Sequence, residues 1–380
     1  MRRRRGAILV SLLLVAWLAA PAPAVAFGTI DTGGQHREHE RITRAALACT
    51  SGEAACFEPA TVDYLAGHDR EFGAVGAPDS DEMTDPAAHC DNADYLAGSY
   101  PHTRDAAVAT LTDCIEQLRT RFREGLDSAQ DLLDDRGEVI PEEVTVSPEC
   151  DPRERDESRS KCTTMEAFGR VLHGAQDFYS HSNWADQADP ARPIADDNPP
   201  GLHRPGPSPL LDLLGATVAR PPTDFTTGCY VLQDQVPGTG VCQLRITHAA
   251  LNKDRGLIDP VSGRATEPGT PRGRVADNFA DAVAGAIAES RRQWRDFRTG
   301  LTTRYGVDRG ERMICALTHD DPVRDCRGSS PNRVVVIVLI AGAVLTGILV
   351  LTRLAPPWRR PRRFAGAGGA SAIRPRGRSG

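Results

Sequence analysis

The sequence has very little lysine and lacks several motifs that identify common enzyme classes. Lys161 and Lys253 are the only lysines among 45 basic residues, so almost all positive charge is carried by arginine. There is no G-x-S-x-G motif, no P-loop and no G-x-G-x-x-G motif, and no lone cysteine stands out as a nucleophile. Serine-hydrolase, P-loop and dinucleotide-binding chemistry therefore have no support in the sequence.

Acidic residues are absent from the first 26 positions. Four arginines at positions 2–5 precede an apolar stretch from Ile8 to Ala20, and the small residues at positions 24–26 follow. This layout is typical of a secretory signal peptide. We predict cleavage before Phe27, so that the mature chain begins there.

Charged residues are also absent from a 19-residue run, Val334 to Thr352. At about 1.5 Å per residue this run is long enough for a helix that crosses a bilayer. Eight arginines and no acidic residues follow it, which predicts a cytoplasmic tail over 353–380. We expect a single-pass protein of the cell membrane with its N-terminal domain outside the cell. The alternative for both apolar runs is a buried core helix.

The region between these segments is strongly acidic. The whole chain has a formal net charge of −6, and twelve of its arginines lie in the two terminal segments, so residues 27–333 carry −18. Such a charge disfavours nucleic acid as a partner unless metal ions intervene. A nuclease activity is disfavoured for the same reason. About 300 residues are enough for one large domain or two small ones.

All ten cysteines lie in this acidic region, and no C-x-x-C pair occurs among them. An even number of cysteines in an oxidising compartment favours disulfides over metal thiolates. Short spacings suggest pairing between neighbours, although sequence alone leaves other connectivities open. The suggested pairs are Cys49–Cys56, Cys90–Cys114, Cys150–Cys162, Cys229–Cys242 and Cys315–Cys326.

Helical periodicity dominates the hydrophobic pattern. Apolar residues recur at steps of three and four over about 103–135, 163–181 and 273–302, and a shorter helix is predicted from Glu38 to Cys49. The proline-rich stretch 185–228 indicates a long, mostly irregular connection. The fold class predicted is mainly α, with a domain over 27–317 and a linker over 318–333.

The most informative residues lie on the predicted helix over 163–181. His173, Asp177 and His181 are spaced by four, so on a helix they form one stripe opposite the apolar face. Two histidines and an aspartate on adjacent turns suit a divalent metal such as zinc. The alternative is a solvated polar stripe, but exposed stripes are usually built from Glu, Arg and Lys.

The segment 172–184, L-H-G-A-Q-D-F-Y-S-H-S-N-W, resembles the Het-C-like branch of the zinc-dependent phospholipase C and single-strand nuclease superfamily. The central helix of that branch carries H-x-x-x-D, then a further histidine and often S-H-S/T-N. The matching residues here are His173, Asp177, His181 and Asn183.

Four short segments make the region after position 26 similar to the CinY family within that branch. The resemblance implies a helical phospholipase C-like domain. The segments are F-G-T-I at 27–30, H-E-R-I-T-R-A-A-L-A-C at 39–49, A-H-C-D-N at 88–92 and L-N-K-D at 251–254.

The resemblance also implies two or three zinc ions. Asp177 would bridge two of them, and Asp79 would also act as general base or orient the attacking water. The ligands of the first ion, besides Asp177, would be Asp79, His89 and His173, with His102 as the alternative to His89. Those of the second would be His39 and the main chain of Phe27 as the first mature residue.

A third ion would be held by His181, His248 and Asp254, and here the chain departs from the family pattern. The family places a carboxylate four residues after the last histidine, where this chain has Asn252, and the phospholipases space the second and third ligands of the central helix six apart rather than four. No partner pattern is found for the remaining histidines, which are His36, His68, His203 and His319.

Clustered divalent ions lower the pKa of bound water and hold the oxygens of a phosphate ester. The resemblance therefore implies a zinc-dependent phosphodiester hydrolase of phospholipase C type, acting on a lipid headgroup or a similar ester. The alternative is a catalytically silent, metal-stabilised binding or adhesion module, which the absent carboxylate at position 252 favours.

Overall fold

Helices carry the fold in the computed structural model, which describes residues 27–327 except 54, 70, 147–149, 151–158 and 231–239. The mainly helical class is as predicted. Within the described residues, the helices in chain order are α1 (Glu38–Leu47), α2 (Pro59–Ala66), α3 (Pro78–Asp81), α4 (Arg104–Ser128), α5 (Ser160–His181), α6 (His248–Leu251), α7 (Asn278–Tyr305), α8 (Val307–Thr318) and α9 (Pro322–Asp325).

The four helices expected from periodicity correspond to α1, α4, α5 and α7. Their ends follow local chemistry: α4 begins after Thr103, whose hydroxyl accepts a hydrogen bond from the amide of Ala106. Helix α7 ends at Gly306, whose φ of 83° is easily adopted only by glycine. The chain then turns directly into α8.

Helix α5 is the centre of the fold. Of its 22 residues, 20 are buried, so it is covered on every side. Its apolar face packs with α4 and α7; Phe168, for example, lies 5.0 Å from Phe297 between ring centroids. Because the opposite face is also buried, polar residues there need partners inside the protein. The alternative of a solvated polar stripe is therefore wrong.

Two glycines of α5 allow loops to approach its buried polar face. A Cβ added at Gly169 would lie 2.5 Å from the Cβ of Ala74, and one at Gly174 would lie 2.7 Å from the carbonyl oxygen of Ala88. The first loop leads through a 3₁₀ turn, Ala74–Gly76, into α3. The second leads into the segment containing His89.

Strands are few and short among the described residues. β1 (Gly67–His68) pairs antiparallel with β2 (Glu71–Phe72), and β3 (Leu257–Ile258) pairs antiparallel with β4 (Ala265–Thr266). The stretch 185–228 is largely irregular, as predicted, and contains a 3₁₀ turn at Pro209–Leu211.

The five disulfides join the cysteine pairs suggested by their spacing, from Cys49–Cys56 to Cys315–Cys326. The last of them ties α9 to α8. Residues 318–327, expected to begin a linker, therefore contain a short helix and a disulfide. The described residues belong to one compact unit.

No helix in the described part of the chain is long and apolar enough to cross a membrane. The longest, α7, carries buried Glu289 and several arginines, which hydrocarbon would not accommodate. This finding contradicts the prediction of a single-pass membrane protein, and that prediction is wrong for the described residues. The segments 1–26 and 334–352, predicted as signal peptide and span, lie outside the described residues, as does the tail after them.

Candidate metal centre

The polar stripe of α5 lies at the centre of a buried cluster of histidines and carboxylates. His173, Asp177 and His181 each have no solvent exposure. Their spacing of four places them on successive turns of one helix face. An imidazole or carboxylate in such a position needs a hydrogen-bonding partner, an ion pair or a metal.

Asp177 is the shared member of the cluster. Its Oδ1 lies 3.2 Å from Nε2 of His39, and its Oδ2 lies 2.9 Å from Nδ1 of His89 and 3.0 Å from Nε2 of His173. These residues come from α1, the loop before α4 and α5. The structure thus brings three distant parts of the sequence to one carboxylate.

Asp79 approaches the same group from α3. Its Oδ1 is 3.8 Å from Nε2 of His173, and its Oδ2 accepts a hydrogen bond from the hydroxyl of Thr29. The Nε2 of His173 is also 2.9 Å from Nδ1 of His89. These residues form two groups that could hold a metal ion, and His173 belongs to both. The first group is Asp79, His89 and His173, and the second is His39, His173 and Asp177.

Hydrogen bonds on the far side of the rings orient two of the histidines. Nδ1 of His173 lies 2.8 Å from the carbonyl oxygen of Val75. Nδ1 of His39 lies 2.8 Å from Oε1 of Gln176, whose amide nitrogen donates to Thr43. Both Nδ1 atoms therefore carry hydrogen, and the Nε2 lone pairs face Asp177. Metal-binding histidines usually have this arrangement.

Several polar atoms at the centre are buried with no hydrogen-bonding partner among the described residues: Nε2 of His39, His89 and His181, and Oδ1 of Asp177. Such atoms are costly unless something binds them. Neighbouring ligand atoms around a tetrahedral zinc ion lie about 3.3–3.6 Å apart, given bonds of about 2.0–2.2 Å. The observed separations of 2.9–3.8 Å around Asp177 bracket that value, so these residues can hold metal ions.

The third predicted ligand set is also brought together. Nε2 of His181 lies 3.2 Å from Oδ1 of Asp254, and Nε2 of His248 lies 3.3 Å from its Oδ2. Asp254 thus lies within reach of both predicted histidines. Asn252 is 6% exposed; its amide donates to the carbonyl oxygen of His248 and its carbonyl oxygen accepts from the hydroxyl of Thr270. Its side-chain Oδ1 has no hydrogen-bonding partner among the described residues.

Asp91 completes this third group and was not among the predicted ligands. It lies 3.4 Å from Nδ1 of both His181 and His248. The only signal in the sequence was its place two residues after His89. Asp91, His181 and His248 form a further group able to hold a metal.

Phe27 is fully buried beside His39, with 5.9 Å between ring centroids. The amide of Gly28 donates to Glu38, and the carbonyl of Gly28 accepts from the amide of His39 at 3.4 Å. These contacts hold the segment against the start of α1. Metal ligation by the main chain of Phe27 stays a prediction.

Positive charge on the histidines balances the negative charge of the carboxylates inside the cluster. Burial would raise the pKa of Asp177, but the neighbouring His173, His181 and His39 hold it well below its usual value. Burial would lower the pKa of His181, but Asp91, Asp177 and Asp254 raise it well above its usual value. The pKa of His248 rises to about 9 for similar reasons, against burial and the positive His181. A divalent cation supplies the same positive charge and displaces these protons.

The cluster reaches the surface through a small opening of about 10 Å³, roughly the space of one water molecule. The aromatic ring at its edge, Tyr230, lies 5.2 Å from that of His248. The lining residues are Asp79, Met83, His89, Asp91, His181, Tyr230 and His248.

Other residues singled out from the sequence lie outside the cluster. His102, the alternative to His89, bonds through Nδ1 to the carbonyl of Asp94. Asn183 binds the main chain at Pro200 and Thr226 and so anchors the irregular connection. His319 lies close to Cys315 and Cys326, but those two cysteines form a disulfide.

Compared with protein-family models, curated proteins and solved structures, the chain has no match. The resemblance to the Het-C-like branch therefore remains a prediction.

Proposed function

We propose that this protein is a zinc-dependent hydrolase of phosphodiesters. The observation that carries the proposal is the convergence of His39, His89 and His173 on the buried carboxylate of Asp177, with Asp79 beside His173. Histidine nitrogen with carboxylate oxygen is a donor set that zinc favours. A shared carboxylate is also the arrangement expected when two ions lie side by side.

Ions bound at such a cluster would lower the pKa of water and bind the oxygens of a phosphate ester. The chain's own residues have separate tasks. Val75 and Gln176 hold the rings of His173 and His39 with Nε2 toward Asp177. Asp79 is one of the two carboxylates that line the opening, and Thr29 fixes one of its oxygens, so the other is available to accept a proton or orient water.

The charge of the chain fits an anionic substrate only if cations are bound. Residues 27–333 carry a net charge of −18, which repels a phosphate ester. Two or three divalent ions at the opening would reverse the sign locally. Substrate binding would therefore depend on metal as strongly as the chemical step does.

A second function has one observation in its favour. An opening of about 10 Å³ does not admit an ester, which supports a metal-stabilised binding module without catalysis. The two functions make the same prediction for metal content but different ones for activity.

The first test is metal content. Purified full-length protein should retain two or three zinc ions by elemental analysis, and Asp177→Asn should lose most of them. His203→Gln is the matched control, because that histidine is 64% exposed and pairs only with Asp281 among the contacts described. Natively folded wild-type protein without metal would contradict both functions.

The second test is activity against a panel of phosphocholine esters. A hydrolase loses activity with a chelator and regains it with zinc, in parallel with the zinc bound. Full zinc occupancy without hydrolysis of any ester would favour the binding module.

A further inference from the structure

Asp91 is the one buried carboxylate among the described ligand candidates that contacts the Nδ1 atoms of two histidines. It is 2% exposed, and its side chain lies 3.4 Å from Nδ1 of His181 and 3.4 Å from Nδ1 of His248. Asp254 faces the other nitrogens of the same rings. Each imidazole therefore lies between two carboxylates, and only one side of each ring can donate while the other binds a metal.

The surroundings of His181 decide which nitrogen carries hydrogen. Its Nδ1 has two acceptors, the carbonyl oxygen of His89 at 3.3 Å and Oδ1 of Asp91 at 3.4 Å. A carbonyl oxygen cannot donate, so Nδ1 must. The Nε2 atom has no hydrogen-bonding partner and faces Asp254 at 3.2 Å. In a neutral ring, that nitrogen holds the lone pair.

His248 lies between the same two carboxylates and in the same orientation as His181. Nδ1 faces Asp91 and Nε2 lies 3.3 Å from Oδ2 of Asp254. The rings of His181 and His248 are 4.2 Å apart between centroids. With hydrogen on both Nδ1 atoms, each Nε2 lone pair faces Asp254.

The main chain holds Asp91 firmly. It lies between Cys90 and Asn92, which have φ of 55° and 65°, and Cys90 is joined to Cys114 of α4. The amide of Asn92 donates to the carbonyl of Gly228 at 2.8 Å. A carboxylate on so constrained a segment can fix the rings it contacts.

We propose that Asp91 is a positioning residue for the third metal position: it accepts hydrogen from Nδ1 of His181 and His248 and turns both Nε2 atoms toward an ion held with Asp254. The inference rests on the proposed metal centre. It goes beyond that centre by making Asp254 a metal ligand and Asp91 a residue that orients the two histidines. If Asp91 were itself a ligand, the ion would lie on the Nδ1 side.

The direct test is nitrogen NMR of full-length protein with ¹⁵N-labelled histidine, loaded with zinc. Ring couplings distinguish a hydrogen on Nδ1 from one on Nε2, and spectra of His181→Gln and His248→Gln assign the two rings. The expected result is hydrogen on Nδ1 and zinc on Nε2 in both. Zinc on Nδ1 of either ring would overturn the proposal.

Zinc titration of variants gives a second, independent measurement. Asp254→Asn should lower the number of bound ions by one. Asp91→Asn should keep the number but weaken the last ion bound by about 10–100-fold, the usual effect of removing a histidine-orienting carboxylate. Asp105→Asn, at an exposed position, is the control and should match the wild type.

The outcomes separate this inference from the proposed function. Binding of only the two ions around Asp177 overturns the inference and leaves the proposed function standing. No zinc at all overturns both. Equal loss of one ion in Asp91→Asn and Asp254→Asn makes Asp91 a ligand and also overturns it. The wild-type NMR measurement decides the matter even if Asp91→Asn does not fold.

Discussion

Replacing Glu82 with glutamine should destabilise the protein at pH 6 much more than at pH 2. Glu82 follows α3 and is 9% exposed. It pairs with Arg121 of α4 and with Arg170 of α5, at 2.7 Å for the latter. Arg170 also pairs with Asp81 at 2.7 Å. These ion pairs join the segment that presents Asp79 to the helix that carries His173.

The pKa of Glu82 sets the size of the effect. Burial would raise it, but the charges of Arg170 and Arg121 and their hydrogen bonds outweigh burial and lower the pKa from 4.5 to about 2. One pKa unit corresponds to about 1.4 kcal/mol, so the shift is equivalent to about 3 kcal/mol. Because the pKa falls on folding, this stabilisation is present above pH 4.5 and is lost as the pH drops toward 2.

The assay is urea unfolding of wild-type protein and Glu82→Gln at several pH values, with chelator present to separate the effect from metal binding. The difference in unfolding free energy should shrink by about 3 kcal/mol between pH 6 and pH 2. Glu124→Gln is the control, because Glu124 pairs with the same Arg121 but is 48% exposed. A difference for Glu82→Gln that stays constant with pH would refute the assignment of this pKa shift.

Three further outcomes are expected. Gly169→Ala places a Cβ 2.5 Å from that of Ala74, so it should push the loop before α3 away from α5 and lower both the melting temperature and the zinc retained. Lys253→Met removes the buried ammonium that lies 3.1 Å from Asp186 and should cost about 3 kcal/mol in urea unfolding. An unchanged unfolding free energy would mean that Arg272, which lies 2.7 Å from the same carboxylate, balances its charge alone. Zinc binding at pH 7 should release protons, which a pH-sensitive dye in weak buffer would detect. The affinity for zinc should rise with pH up to about 9, since the pKa of His248 is about 9 without metal. A zinc affinity that does not change with pH would contradict this.

The main helices were predictable because their signals are local. A hydrophobic pattern with a period of 3.6 identifies a helix without reference to the rest of the chain, and the spacing of His173, Asp177 and His181 then puts them on one face. Their burial was not predictable in this way. Whether the second face of α5 meets solvent depends on which loops can approach it, and that depends on Gly169 and Gly174 meeting particular loops.

The candidate site was partly predictable. Motif matches pointed to His39, Asp79 and His89, and the structure brings all three to α5. The resemblance also named Asp254, but the sequence could not show that this carboxylate reaches His181 and His248, because a ligand's reach depends on the path of the chain after α6. Asp91 was missed for a related reason: a single aspartate in a loop has no periodicity or spacing that identifies its partners.

The sequence by itself determined the helical class, the pairing expected between neighbouring cysteines and the stripe of His and Asp side chains on α5, since each depends on residues close together along the chain. The tertiary structure alone decided that this stripe is buried, that Asp177 is shared by histidines from three segments, and that Asp91 and Asp254 lie on opposite sides of the same two rings. Those features depend on distances between residues up to about 160 positions apart, such as the 157 that separate Asp91 from His248.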